Sequence, residues 1–479
     1  MKISELLKQA EGKTLEFKRD LSSPRNILKT VTAFANTAGG VLLIGVDNDR
    51  KLVGIDDPLE EEERLCNMIA DAVTPRVVPN VEITTVQGKT LLLVEVFLSS
   101  LRPHWLKSEG PENGVYVRLG STNRQADREL IAELRRSVEG ISFDEMPMPE
   151  LSKDDLDLNA ARRAFSTERQ LTEQALLTLK LLVQAQGKTV PSKGGMLLFG
   201  HNRTFHFPDC WVQCGRFIGT DKARIFDHIE IDEPLPQSVD SIMLFLKKHA
   251  MRRADFSDVR RRDVWSIPLE PLREAVINAL VHADWSQRGG PVRIAFFDDR
   301  IEIENPGILP PGITVQDMKQ GVSKIRNPVI ARVFRELRLI EQWGSGVPRI
   351  FRETKEGGFP EPSIMELGLR MRFIFPLAKK IAIEEQLELQ TGSPTQSPTQ
   401  STDPVIRLLH ALVEGPLSSG QLRKRLNLKH RPTFRENYLH PALEKGYIEM
   451  TIPEKPSSRL QKYRLTEKGK WVVREKKQN

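Results

Sequence analysis

Apolar residues change their spacing several times along the chain, and each change marks an element. At residues 14–18, Leu15 and Phe17 alternate with Glu16 and Lys18, which predicts a half-buried strand with Glu16 turned outward. Ser22 and Ser23 offer a cap, Pro24 suits a first helical turn, and Ile27, Leu28, Val31, Phe34 and Ala35 share one stripe of the helix that follows. Gly39 and Gly40 end that helix. Residues 41–46 then read as a buried strand, 47–50 as a polar turn and 52–55 as a returning strand. Residues 91–98 form another strand, because Glu95 interrupts an apolar run too short to cross a membrane.

Further along, residues 194–200 and 210–217 read as buried strands, and they lead to a basic helical stretch containing Arg252, Arg253, Arg260, Arg261 and Arg262. Over 272–283 the period becomes helical. Glu274, Asn278 and His282 recur every four residues and so share one stripe, while Leu272, Val276, Ala279 and Ala283 take the other side. Such a polar stripe either faces water or lines a site. Residues 292–297 and 300–304 predict a hairpin around Asp298 and Asp299. The run Asn305-Pro306-Gly307-Ile308-Leu309-Pro310 and a turn at Gly344-Ser345-Gly346 follow.

In the last segment Val405, Leu408, Leu409 and Leu412 mark a helix, and Ser418 or Ser419 caps a second one through Leu426. After a turn at 427–430, Pro432 opens a third, with Phe434, Tyr438, Leu439 and Leu443 on its apolar side and Gly446 at its end. Strands at 447–452 and 461–465 flank a Pro- and Ser-containing wing at 453–459. This order is that of a winged helix-turn-helix, which sets its third helix in the major groove and a basic wing on the backbone. Arg431, Arg435, Lys455, Arg459, Lys462 and Arg464 are its candidate DNA contacts.

A chain of 479 residues is too long for one core, and 39% hydrophobic residues against 28% charged is the balance of folded domains. The polar stretch 386–403, with SPTQ twice in tandem at 393–400, reads as a flexible linker, and Pro147 and Pro149 mark an earlier junction at 143–158. The predicted fold is therefore α+β and multidomain, with domains at 1–140, 150–380 and 404–479. Lys and Arg number 71 against 64 Asp and Glu, but residues 401–479 hold 17 of those cations and 8 of those acids. The excess positive charge thus sits on the terminal domain, as expected of a unit that meets a polyanion, and with the winged-helix order it favours double-stranded DNA as the partner. A solvated basic tail would not need the apolar pattern found there. The charged first residues, the absence of a spanning run and three scattered cysteines, Cys66, Cys210 and Cys214, point to a cytoplasmic protein with free thiols and no membrane partner. Self-association stays open.

The strings EGKTLEFK at 11–18, FANTAGGVLLIGVDN at 34–48 and VYVRLGSTNRQA at 115–126 together resemble the AlbA-like DNA-binding domain shared with Schlafen proteins. In the nuclease members of that family, two Glu and a nearby Asp hold a metal that cuts RNA. The resemblance places those roles at Glu11 and Glu16 and at the turn of Asp47 and Asn48, and clustered carboxylates can hold a divalent ion for phosphoryl chemistry. The bland alternative pairs Glu16 with Lys18 or another cation at a solvated strand face and leaves Asp47 to make a hairpin turn. Lys18, Arg19, Arg118 and Arg124 are candidate DNA or RNA contacts in either case.

REAVINALVHADW at 273–285, IEIENPGILPPG at 301–312 and QWGSGVPRI at 342–350 resemble, in order, the GHKL-type ATPase module of proteins labelled RecG-like, with motifs over 260–375. The resemblance implies that Glu274 prepares the attacking water, that Asn278 holds Mg²⁺, and that Gly307, Gly344 and Gly346 let backbone amides approach the phosphates of ATP. Asn305 stands near the place of the adenine-reading Asp, which favours binding over rapid turnover. A scaffold whose glycines only make turns is the alternative. A helicase motor is excluded, since Gly12-Lys13-Thr14, Gly88-Lys89-Thr90 and Gly187-Lys188-Thr189 have Leu7, Ile83 and Leu182 where a phosphate loop needs its first glycine. His201, His206, Cys210 and Cys214 lack the spacing of a zinc site and read as core thiols and ordinary histidines. The expectation is a DNA-binding, ATP-binding transcriptional regulator, with a Schlafen-like metal-dependent RNA endonuclease as the alternative.

Overall fold

The computed structural model describes residues 3–165, 170–250, 252–255, 262–340, 346–381, 404–413, 415–426, 434–452, 454 and 461–475. Two compact units divide the chain, 1–389 and 390–479. The boundary falls inside the stretch read as a linker.

The first unit opens with a four-stranded sheet in the order Leu15–Lys18, Gly40–Ile44, Lys89–Val96, Asn80–Val86; its first pair is parallel and the others antiparallel. A parallel pair needs a crossover, and the helix Pro24–Asn36 supplies it, burying Ile27, Val31, Phe34 and Ala35 as its stripe predicts. Both faces of the sheet are covered. Leu42, Ile44 and Leu92 face that helix, while Leu15, Phe17, Val41 and Leu43 pack on the opposite side with Leu6. This double burial corrects the expectation for Glu16, which is 7% exposed and not turned outward. Residues 52–55 do not form a full strand; Leu52 makes a single bridge to Val46. A hairpin, Tyr116–Leu119 with Thr122–Gln125, and a helix, Arg128–Glu139, complete this part. Asp127 caps that helix at Leu130 N–H, and Gly140 closes it with φ of 71°.

Residues 143–158 contact the middle region closely. Asp144 is buried and accepts from the amides of Val329 and Ile330 at 2.7 and 3.0 Å, which caps the helix Pro328–Glu336. Burial pushes its carboxyl up to about 7. The middle sheet has six strands in the order Ile225–Ile231, Val212–Phe217, Val292–Phe296, Arg300–Pro306, Arg370–Pro376, Ser363–Leu367, all neighbours antiparallel except Val212–Phe217 with Val292–Phe296. The hairpin expected at 292–304 is present.

Two expectations for the middle region are corrected. Residues read as a strand at 194–200 form the helix Lys193–Phe199, because Ser192 Oγ caps Gly195 N–H at 2.9 Å and Gly194 lets the helix approach Val329 closely, where a Cβ would lie 2.7 Å away. The basic stretch read as helix is a two-stranded hairpin, Arg252–Asp255 with Arg262–Trp265. Arg260 and Arg261 lie outside the described residues.

The second unit has the helix Pro404–Ala411, a short strand Leu417–Ser418, the helix Ser419–Arg425, a π-turn at Arg435–Leu439 running into the helix His440–Glu444, and two strands, Ile448–Met450 and Lys462–Leu465, before the helix Glu467–Glu475. Ser418 caps the second helix in a reciprocal box with Gln421. Val405, Leu408, Leu409, Leu412, Phe434, Tyr438 and Leu439 close one core, which carries the elements bearing Arg435, Lys462 and Arg464. The turn at 427–430 and most of the segment 453–459 lie outside the described residues.

Candidate functional site

The amino-terminal carboxylates each have a separate structural partner. Glu16 is bonded by Lys18 and by the guanidinium of Arg118, which is 1% exposed and also donates to the Gly12 carbonyl at 3.0 Å and to Asn123 Oδ1 at 3.0 Å. Glu11 is exposed and accepts from Phe17 N–H at 2.8 Å. Asp47 accepts from Lys51 N–H at 2.8 Å, closing its turn. Among the described residues no group of three or more metal-capable side chains occurs. Arg118 therefore is not available to phosphates, contrary to the expectation for it, whereas Arg19 and Arg124 are exposed.

In the middle region the predicted residues do converge. Leu272, Ala275, Val276, Ala279 and Leu280 bury one side of the helix Leu269–His282, and the Asn327 amide closes its carboxyl end by donating to the carbonyls of Val281 and Ala283 at 2.8 and 2.7 Å. The stripe of Glu274, Asn278 and His282 is thereby aimed into a pocket with about 1180 Å³ of empty space, part of it open to solvent. Asn305 at the end of strand Arg300–Pro306 and Gly346 at the start of the helix Gly346–Glu356 face the same space. Ile308, Ile313, Met371 and Phe373 make an apolar wall. Gly346 has a steric reason, since a Cβ there would collide with the Glu274 carboxylate. Gly307, with φ of 99°, sits where a Cβ would come 2.8 Å from Asp284 Cβ; it turns the chain behind the pocket. Gly344 lies outside the described residues.

The pocket also holds groups that periodicity did not single out. Lys324, Arg335 and Arg349 bring cations to it. Arg349 pairs with Glu274, whose other close contact is Asn278 Nδ2 at 3.3 Å. A sequence signal existed, because three residues past Gly346 is about one helical turn, which returns Arg349 to the same face. Lys324 Nζ donates to the Pro311 carbonyl at 3.1 Å, and burial lowers its pKa. Burial, with the nearby Arg326 charge, lowers His282 to about 4, so its imidazole is neutral near pH 7.

One wall of the pocket is shared. Within residues 307–326, Gly312 N–H donates to the Thr37 carbonyl at 2.8 Å, and Leu309 N–H donates at 2.9 Å to Glu366, which Lys13 Nζ also meets at 2.7 Å. Arg326 bonds Glu133 of the helix Arg128–Glu139 and lies 3.5 Å from Asp284. Ile308 packs among Val115, Val117, Leu130 and Leu134.

Of the carboxyl-terminal cations, Arg435, Lys462 and Arg464 are exposed. Arg435 Nε donates to His440 Nε2 at 3.1 Å and Arg464 Nε to Glu449 at 2.7 Å. Arg431, Lys455 and Arg459 lie outside the described residues. The phosphate-loop look-alikes are ordinary turns: Lys13 holds Glu366, Gly88 turns the hairpin Asn80–Val86 with Lys89–Val96, and Gly187 turns Leu182–Ala185 with Lys188–Pro191. Cys210 and Cys214 are fully buried, and burial pushes both thiols up, Cys210 to about 11. No described helix is long and apolar enough to cross a membrane.

Comparison with known proteins assigns resemblances segment by segment. Residues 11–127 match the family model described as Schlafen, AlbA_2, and residues 289–375 match that described as "Putative ATP-dependent DNA helicase recG C-terminal". Where a winged helix-turn-helix was expected, residues 403–466 match the model described as Filamentation induced by cAMP protein Fic-like, C-terminal domain. Among solved structures, a protein from Corynebacterium diphtheriae is similar at 19% identity over 98% of this chain and 97% of its own, with a TM-score of 0.42. The N-terminal domain of a RecG-related protein from Nitrosomonas europaea is 31% identical over 26% of this chain and 90% of its own, with a TM-score of 0.22. A Fic family protein from Desulfovibrio desulfuricans G20 is 16% identical over 71% and 77%, with a TM-score of 0.14. No curated protein matches the chain.

Proposed function

We propose that this protein is a nucleic-acid-binding regulator of transcription whose middle module holds ATP with Mg²⁺. The observation that carries the reading is the convergence of Glu274, Asn278, Asn305 and Gly346 on one pocket, within and beside the segment matched to the recG C-terminal model. The residues fit such a ligand. An apolar wall suits a base, Gly346 opens its backbone to an anion, Asn278 offers an amide oxygen to a cation, and Lys324, Arg335 and Arg349 oppose the charge of phosphates. Bound there, ATP with Mg²⁺ supplies a polyanionic tail that neutralises these cations. Glu274 is engaged by Arg349, which supports retention of the nucleotide over its rapid consumption.

Nucleic acid is met at two places in this reading. The carboxyl-terminal unit acts as a winged helix on double-stranded DNA, through Arg431, Arg435, Lys455, Arg459, Lys462 and Arg464, and its order of elements and local positive charge support that role. The amino-terminal module adds a second surface through Arg19 and Arg124. A nuclease role has no supporting geometry among the described residues, because Glu16 already serves Arg118 and Lys18. The test is a mobility shift on duplex DNA across a salt series. The shift is expected to weaken steeply with salt and to need far more protein when residues 404–479 are removed, the remainder resting on the amino-terminal surface; an unchanged shift rejects this assignment of the contact.

A further inference from the structure

We infer that Arg349 reads the terminal phosphate of a nucleoside triphosphate in the pocket, and that it does so by exchanging Glu274 for that phosphate. The inference rests on the nucleotide reading above and adds a specificity-determining residue to it.

The pocket lining is mixed. Glu274 contacts both Asn278 and Arg349, so these three form one polar cluster suited to phosphates, and Met371, Phe373 and Ile313 supply apolar lining suited to a base. Arg349 stands one turn into the helix Gly346–Glu356, and helical side chains lean back toward the amino terminus, which carries its guanidinium over the close approach of Gly346 to Glu274. Of the two partners, Glu274 is the enclosed one, with 8% of its side chain exposed against 20% for Arg349. The cation is thus the member of the pair that still meets the cavity.

A phosphate entering the polar cluster faces a carboxylate that repels it and a guanidinium whose planar fork suits it bidentately. Rotation of Arg349 from Glu274 to the terminal phosphate forms the fork, leaves Glu274 to the Asn278 amide 3.3 Å away, and keeps the Glu353 carboxylate within 4.0 Å of the guanidinium. A diphosphate lacks the group that would take up the guanidinium. Selectivity for triphosphate over diphosphate therefore depends on Arg349, and Glu274 acts as its competitor.

The test is calorimetry on the full-length protein with Mg²⁺, using ADP and a non-hydrolysable imido analogue of ATP, so that turnover does not enter. The wild type is expected to prefer the triphosphate by roughly tenfold or more. Arg349→Gln should bring that ratio to within about twofold, because the triphosphate loses several-fold more affinity than ADP does. Glu274→Gln should tighten the triphosphate several-fold, and the gain should disappear in the double variant, since there is no guanidinium left to release. An unaltered ratio in Arg349→Gln, an equal weakening of both ligands, or a gain that persists in the double variant overturns the role of Arg349. If Arg349→Gln loses cooperative unfolding, Arg349→Lys decides: it keeps the charge without the fork, the ratio should fall by about threefold, and an unchanged ratio overturns the assignment. A wild type that binds neither ligand overturns the nucleotide reading itself, and this inference with it.

Discussion

Two Glu–Arg pairs sit in motif positions of this chain and serve opposite ends. Glu16 and Arg118 are closed in: Arg118 is bonded on several sides by backbone and Asn123, and Lys18 covers what Glu16 has left. Glu274 and Arg349 lie beside empty space, with one partner still partly exposed. The same chemistry is a staple where it is surrounded and a displaceable latch where a cavity adjoins it. A carboxylate in a motif string is therefore a site only if the fold leaves room next to it.

The largest effect should come from the closed pair. Arg118→Met leaves Glu16 buried without its main partner and should cost about 3–5 kcal/mol of stability, read by urea denaturation. A loss under about 1 kcal/mol would mean that the pair is not a staple. Next, Gly346→Val places a side chain against Glu274 at the mouth of the open pair, and ATP affinity should fall by roughly a hundredfold in calorimetry, with a stability loss of about 1–3 kcal/mol from the overpacking.

A third pair sharpens the contrast, because Glu133 meets Arg326 at the shared wall with Asp284 nearby. Burial, opposed by Arg326 and reinforced by Asp284, pushes the Glu133 carboxyl up to about 7. Between about 4.5 and 7 the folded protein holds a proton that the unfolded chain has released, so this group's contribution to stability falls as pH rises through that window. Denaturation at pH 5 and pH 8 should show a loss with rising pH to which Glu133 and Asp144 both contribute, and Glu133→Gln should shrink it by an amount of order 2 kcal/mol while the Asp144 share remains. Parallel behaviour of the two proteins would contradict it. The smallest effect belongs to the exposed pair, Arg464 with Glu449: Arg464→Ala should change stability by no more than about 0.5 kcal/mol while lowering the salt slope of DNA binding by about 1.

Periodicity carried much of the fold. The helix stripes at 24–36, 269–282 and 404–411 and the hairpin at 292–306 follow from spacing alone, since each element has one buried side. Where every side is buried, spacing carries little information. The helix Lys193–Phe199 is packed all round and reads as a strand, and Glu16 lies in a sheet covered on both faces, so its polarity says nothing about exposure. The convergence at the pocket was legible for Glu274, Asn278, Asn305 and Gly346 through motif order. Arg349 was legible only as a residue one turn past Gly346; its pairing with Glu274, 75 positions away, was not.

The stretch 307–326 belongs to two neighbours at once, bordering the cleft on one side and gripping Thr37 and Glu133 on the other. An engineer who excised the middle sheet as a stand-alone receptor would tear away half the support of that rim. Any graft of the cleft into another protein must carry the helix Arg128–Glu139 along, and substitutions that retune the rim for a new occupant will register in the amino-terminal sheet as well.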